Sequence, residues 1–202
     1  FCDSNDLWLP LLCTMNVTVA TELFRRLFGW DHAQLEREVA SIPPGSDGLI
    51  FLPYLQGERT PNLPDGCGVL HGMNTGNTTP AHLARAAMEG VTLGMAYGLK
   101  RMESLGVTPE VIHLTGGGSQ SAAWRQMCAD IFGFPVVTMQ TAEGAALGAA
   151  VQALATAEPG WNADQIAARC APVDESSRVL PSERFDYAEQ LQRQSALRER
   201  IF

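Results

Sequence analysis

Apolar residues in this chain recur in two rhythms, steps of three and four and short unbroken runs, and the alternation of the two outlines its elements. Between Leu11 and Phe28, Val17, Ala20, Leu23, Phe24 and Leu27 follow helical spacing, and Gly29 stops the run. Asp31 can cap a second helix through Val39, which Pro43-Pro44-Gly45 ends. Gly48 to Tyr54 reads as a buried strand, residues 56–68 as a long turn-rich loop, and Val69 to Met73 as a short strand. The longest helix opens at Thr79, whose hydroxyl can cap it, with Pro80 at the first helical position. Its stripe is Leu83, Ala87, Val91, Met95 and Leu99, extended by Met102 towards Gly106. Gly90, Gly94 and Gly98 stand four apart within it. Each lowers helix propensity by about 1 kcal/mol relative to Ala, which close packing of another backbone would explain.

The second half repeats the alternation. Val111 to Thr115 is a strand, Gly116-Gly117-Gly118 a turn, Ser121 to Phe132 a helix, and Phe134 to Met139 another strand. Glu143 to Ala150 is a helix of very small side chains adapted to close packing, and Glu143 suits its positive end. Residues 157–181 are mixed, with a short amphipathic piece around Trp161–Cys170. Glu183 to Phe202 is a charged terminal helix with Phe185, Leu191, Ala196 and Leu197 inward. No internal repeat is present. Strands alternating with helices give an α/β class.

The glycine turn carries the candidate chemistry. Glycine admits positive φ and lets a ligand approach bare backbone, and the helix after it offers unpaired N–H groups and a positive dipole end. A strand, a glycine turn and a helix in that order suit a nucleotide. A tight turn in which glycine serves packing alone fits equally well, because the run is neither G-x-G-x-x-G nor a Walker A loop. Near the first helix, Asn16, Thr18 and Thr21 read as a cap and a solvated face, or as neighbours of a ligand.

Composition narrows the classes. The chain has 202 residues, 46% hydrophobic and 18% charged, an ordinary globular balance. A net charge of −8 leaves no basic footprint for nucleic acid. No apolar run approaches the ~20 residues of a membrane span, and no signal peptide opens the chain. Five scattered cysteines without a C-x-x-C pair favour reduced thiols in a cytoplasm over a disulfide frame or a metal site. The first residue is Phe1, which reads as a piece of something longer.

Motif order then becomes specific. Phe51-Leu52-Pro53-Tyr54-Leu55-x-Gly57-Glu58-Arg59-Thr60-Pro61, then Gly68 to Met73, then His82-Leu83-Ala84-Arg85-Ala86-Ala87-Met88-Glu89-Gly90 resembles the second signature of the FGGY carbohydrate kinases. The Leu114 to Gly118 turn and Ala146 to Ala150 follow in the family's order, and the first run is most similar to xylulose kinases. The resemblance covers nearly the whole chain. It implies a ribonuclease H-like, actin-like ATPase domain, a mixed sheet flanked by helices. Residues 1–202 would be the second, nucleotide-side domain of a kinase whose sugar-binding first domain is absent. By position, Gly116, Gly117, Gly118 and Ser119 would border the adenosine and α-phosphate of ATP. Ala122 falls where some relatives place a polar residue on the adenine, and Asn16 and Thr18 match a segment that contacts the nucleotide from the other side.

The departures limit the expected activity. The family's catalytic Asp and its phosphate-binding Gly-Thr turn lie upstream of the position of Phe1, and Asp3, Asp6, Asp47 and Asp65 occur in no such context. The chain is expected to hold the adenosine end of ATP, with Mg²⁺ carried mainly by ATP and the missing domain, to carry no catalytic residue, and not to turn over alone. Its partners would be ATP or ADP and, through the first domain, the sugar; a homodimer could form over the exposed partner surface. A kinase for ribulose, gluconate or glycerol and a non-catalytic nucleotide-binding module are the alternatives.

The remaining polar candidates divide by chemistry. Glu58 and Arg59 suit an ion pair that fixes their loop, or a contact across the cleft. Glu89, among small neighbours, suits a buried hydrogen-bonded carboxylate better than an acid–base catalyst. His71, His82 and His113 lack carboxylate or Cys partners at useful spacing and read as packed or surface residues. Trp124 is most simply core.

Overall fold

The computed structural model describes residues 1–2, 8–141, 144–158, 160–182 and 184–202. In chain order its elements are α1 (Val17–Leu27), α2 (His32–Ser41), β1 (Ile50–Pro53), β2 (Gly68–His71), α3 (Pro80–Ser104), β3 (Ile112–Leu114), α4 (Ala122–Phe132), β4 (Val136–Met139), α5 (Ala145–Ala157), α6 (Ala163–Cys170), β5 (Val173–Val179) and α7 (Tyr187–Ile201). They form two compact units. The first comprises Phe1–Thr108, Asp130–Phe132 and Ser182–Phe202, the second Pro109–Ala129 and Gly133–Pro181. Among the described residues no helix is long and apolar enough to cross a membrane.

The first unit is built around α3, against which α1, α2, β1 and α7 pack. β1 is buried along its whole length and pairs antiparallel with β2, Ile50 opposite His71. The three helix glycines turn out to differ. A Cβ at Gly90 would collide with the Phe51 carbonyl, and one at Gly98 with the Leu12 side chain, as close packing requires. Nothing lies within 4 Å of the corresponding point at Gly94, so packing does not explain that glycine. The first helix is also shorter than its apolar pattern. It begins at Val17 because Met15 N and the Asn16 amide are drawn to Glu58 (2.8 and 3.1 Å) instead of entering a helical turn. The expected caps of α2 and α3 are present: Asp31 accepts from Gln34 N, and the Thr79 hydroxyl from His82 N.

The last helix faces the core with residues that a hydrophobic pattern passes over. It starts at Tyr187, capped by Asp186, and Glu183 lies outside the described residues. Leu197 is buried as expected, whereas Ala196 is exposed and Phe185 sits exposed ahead of the helix. Tyr187, Gln190 and Gln194 are buried instead. The Gln194 amide donates to the Phe51 carbonyl (3.2 Å) and the Gly90 carbonyl (3.0 Å), which supplies donors to buried acceptors.

The second unit is a three-stranded mixed sheet in the order β3-β4-β5, with β3 and β4 parallel and β4 and β5 antiparallel. Helices α4, α5 and α6 belong to this unit, apart from the last three residues of α4. β5 falls inside the stretch that reads as mixed, since Asp174, Glu175, Ser176, Ser177 and Arg178 interrupt any alternation. The strand is polar but still tied in: at its register shift Thr138 N donates to the Ser177 hydroxyl (2.8 Å). Val136 and Val137 are fully buried, and Trp124, Met127 and Cys128 form part of the buried face of α4. Helix α6 opens with a reciprocal capping box between Asn162 and Gln165. Glu143, the expected start of α5, lies outside the described residues.

Candidate functional site

The glycine turn leaves β3 through Thr115 and closes as one turn of 3-10 helix over Gly117–Gln120. Gly116 has φ 82° and ψ −179°, a conformation reserved for glycine. Gly118 is glycine for another reason, since a Cβ there would meet the Trp124 ring at 3.0 Å. Gly117 has neither reason: its φ is ordinary and nothing lies within 4 Å of a Cβ built on it. The turn holds its own carbonyls. Ser119 N (3.1 Å) and the Ser119 hydroxyl (2.7 Å) donate to the Gly116 carbonyl, and Ser121 N to that of Gly118 (3.2 Å). Arg125 Nη1 donates to the carbonyls of Ser119 (2.8 Å) and Gln120 (3.3 Å). The first amides of a helical turn have no acceptor within it, so those of Gly117 and Gly118 are what the turn has left to offer.

Among the sequence candidates here, Gly116, Gly117 and Gly118 form the turn itself. Ser119 is buried and its hydroxyl is used inside the turn, so its part is structural. Ala122 is exposed at the start of α4, where Ser121 caps by accepting from Trp124 N. One helix-end amide is thus already taken. Sequence reading passed over Arg125, which brings a positive charge to the end of the turn. Its signal was a lone cation in the first turns of a helix that directly follows glycines. Trp124 is core, as expected, and its ring fills the space that Gly118 leaves.

The candidates of the first unit are placed differently. Asn16 is buried at the start of α1, but its side chain does not cap the helix. Its Nδ2 donates to the Gly57 carbonyl (2.7 Å) and to Glu58 Oε2 (3.1 Å), so neither a solvated face nor an open ligand contact describes it. Thr18 is exposed on α1, and Thr21 is buried with its hydroxyl on the Thr18 carbonyl. Glu58 fixes its loop, though not through an ion pair with Arg59 as expected. It is buried and accepts from Met15 N, Asn16 Nδ2 and Arg59 N, while the Arg59 side chain is exposed.

Glu89 lies deepest. Only 2% exposed, it accepts from Gly45 N (2.9 Å), the Ser46 hydroxyl (2.9 Å), Arg85 Nε (2.9 Å) and the Tyr187 hydroxyl (2.8 Å). Burial, with the adjacent Glu89 carboxylate second, pushes the Tyr187 phenol well above its usual range. Glu89 is the scaffold carboxylate its signature context suggested. What it braces is a left-handed turn, with φ of 83°, 49°, 49° and 85° at Gly45, Ser46, Asp47 and Gly48. Left-handed geometry costs about 1–2 kcal/mol at each non-glycine residue, so this turn needs external holds. A second hold is Asn77 Nδ2 on the Asp47 carbonyl (3.1 Å). A third corrects the reading of His82, whose Nε2 lies 3.0 Å from Asp47 Oδ2 and whose Nδ1 lies 2.7 Å from the Thr79 hydroxyl. The carboxylate comes from 35 residues upstream, where local spacing could not reveal it. His71 and His113 are exposed. Asp3 and Asp6, scanned for a catalytic base, lie outside the described residues. Among the described residues no three His, Cys, Asp or Glu side chains converge on a metal position.

Comparison with known proteins agrees with these motifs. The sequence model of the C-terminal domain of the FGGY family of carbohydrate kinases matches residues 18–157. Xylulose kinase of Haemophilus influenzae is 37% identical over 182 residues, 90% of this chain and 37% of that protein. The crystal structure of xylulose kinase from Rhodospirillum rubrum superposes with a TM-score of 0.82 at 27% identity, over 94% of this chain and 39% of that one. Gluconate kinase from Lactobacillus acidophilus gives 0.79 at 25% identity, over 93% and 39%. The chain thus spans less than two fifths of the relatives it matches. Its mixed α/β structure is the actin-like ATPase fold of these kinases, and the chain belongs to the FGGY family of carbohydrate kinases through their C-terminal domain.

Proposed function

We propose that this chain is the nucleotide-holding domain of an ATP-dependent kinase that converts D-xylulose to xylulose 5-phosphate. The observation that carries the reading is Gly117. Neither backbone conformation nor packing within the unit calls for glycine there, whereas a ligand lying against its amide would. Gly116 and Gly118 shape the turn, Ser119 and Arg125 hold its carbonyls inward, and the exposed Ala122 offers a methyl to the flat adenine. In the Asn16–Thr18 pair the Thr18 side chain is exposed on α1, whereas the Asn16 amide is committed to Gly57 and Glu58.

In the proposed reaction a sugar hydroxyl oxygen attacks the γ-phosphorus, the bond to the bridging β–γ oxygen breaks, and ADP leaves. A base must take the hydroxyl proton. Glu58 and Glu89, the buried carboxylates of the described residues, are saturated with hydrogen bonds. The base is therefore assigned to another part of the protein, as the family resemblance implies. The described residues offer no ligand set for Mg²⁺, so the ion would arrive on the triphosphate and would neutralise charge there. This chain's contribution is positioning.

Phosphorylation of D-xylulose by the protein that carries this chain, compared with ribulose, gluconate and glycerol, tests the substrate. Turnover of xylulose in clear preference is expected, and absence of turnover with every sugar refutes the kinase reading. The likeness to a gluconate kinase favours gluconate as the second choice. The chain alone is expected to bind ADP in a calorimeter and to release no product.

A further inference from the structure

We infer that the second unit holds a further binding site, for a small molecule with an apolar body and one carboxylate. It is a half-open pocket of about 240 Å³ between α5 and α6, lined by Leu154, Glu158, Trp161, Ile166, Arg169 and Cys170. At ~30 Å³ per water this is room for about eight waters, or for a ligand of roughly ten heavy atoms. Ile166, 2% exposed, forms the floor, whereas Leu154 and Trp161 stay 43% and 42% exposed along the walls. Two large apolar side chains thus remain in water around one concave space. The polar element is Arg169, whose guanidinium lies 4.6 Å from the centre of the Trp161 ring. Stacking uses the face of a guanidinium and leaves its N–H edge available. Among the described residues Arg169 makes no ion pair, although Glu158 lines the same pocket. A cation fixed flat over an indole, with an apolar floor beside it, matches a carboxylate attached to a ring or branched chain.

The walls are firmly held. Glu158 N donates to the Leu154 carbonyl (2.9 Å), Trp161 N to that of Glu158 (3.0 Å), and the capping box pins the start of α6. None of its lining residues belongs to the glycine turn. Arg169 also lies in the last turn of α6, where a cation offsets the helix dipole, so the test must separate that role from ligand binding.

Three ligands that share one body do so: 3-phenylpropionate, 3-phenylpropanol and phenethylamine, each titrated into the intact protein with Trp fluorescence and ligand-observed NMR. The propionate is expected to bind with near-millimolar affinity, about what so few atoms supply, at least tenfold more tightly than the alcohol or the amine. Arg169→Gln should abolish that preference. Glu158→Gln should tighten propionate binding about two- to threefold by removing a like charge. Opposite signs from the two variants, with unchanged circular dichroism, would not arise from a role in helix stability. No saturation by the propionate below about 10 mM, equal affinity for the three ligands, or a propionate preference that survives Arg169→Gln would overturn the assignment.

Discussion

The left-handed turn at Gly45–Gly48 and the glycine turn at Gly116–Gly118 both bend the backbone into positive φ, yet they are finished in opposite ways. Around the first, Glu89, Arg85, Asn77, His82 and Tyr187 form a network of side-chain hydrogen bonds. Around the second, side chains hold only the carbonyls, and Gly117 faces open space. The charged signature residues Glu58, Arg85 and Glu89 are therefore braces, and the turn proposed to meet the nucleotide carries almost no side chain. Chemical prominence in a sequence and availability in the fold are separate properties.

Glu89→Ala should test the saturated region most severely. It leaves Arg85 buried without its ion pair and strips two holds from a strained turn, for an expected loss of about 3–5 kcal/mol in urea unfolding. A loss under about 1 kcal/mol would remove the contrast altogether. Gly90→Ala should follow at about 1–3 kcal/mol, because the added methyl meets the Phe51 carbonyl. Gly117→Val then addresses the open region. Nucleotide affinity should fall about tenfold, or about 1.4 kcal/mol, with the melting temperature nearly unchanged. In Gly118→Val, by contrast, the melting temperature should fall as well, since the side chain pushes against Trp124. Equal effects of the two valines on affinity and melting would erase the distinction between packing glycine and ligand glycine. Gly94→Ala should raise stability by about 0.5–1 kcal/mol, as nothing opposes its Cβ and helix propensity improves. The smallest effect is kinetic: burial raises the Cys128 thiol to about 12, so at pH 8–9 a maleimide should label the exposed Cys67 and Cys170 and leave Cys128 unreacted. Above pH 9 the unfolded thiol loses its proton more readily than the folded one, so this group's contribution to stability declines from pH 9 towards 12.

Much of the fold was legible because it rests on local pattern. Asp31 and Thr79 cap where their positions suggested, β1 is the buried run it resembled, and the family emerged from motif order. Features that depend on distant partners were not legible. His82 meets a carboxylate 35 residues away, and Gln194 faces inward to serve two carbonyls on other elements. Asn16 looked like a cap and is held by the loop at Gly57 and Glu58. β5 is polar along its middle and joins the sheet through backbone pairing that side-chain alternation does not record. Of the candidate site, the glycines could be named in advance but not sorted, because that needs the φ of Gly116 and the position of the Trp124 ring.

The first unit is discontinuous in sequence, and this matters while the chain is being made. Glu89 leaves the ribosome nearly a hundred residues ahead of Tyr187, its hydroxyl donor, and the Phe51 carbonyl waits still longer for Gln194. At about 5–20 residues per second that interval lasts several seconds or more. Most of the second unit, residues 109–129 and 133–181, is complete before α7 appears. The natural order of assembly is thus inverted relative to the sequence: the glycine-turn unit can settle while the older segment holds a buried carboxylate that still lacks one of its donors.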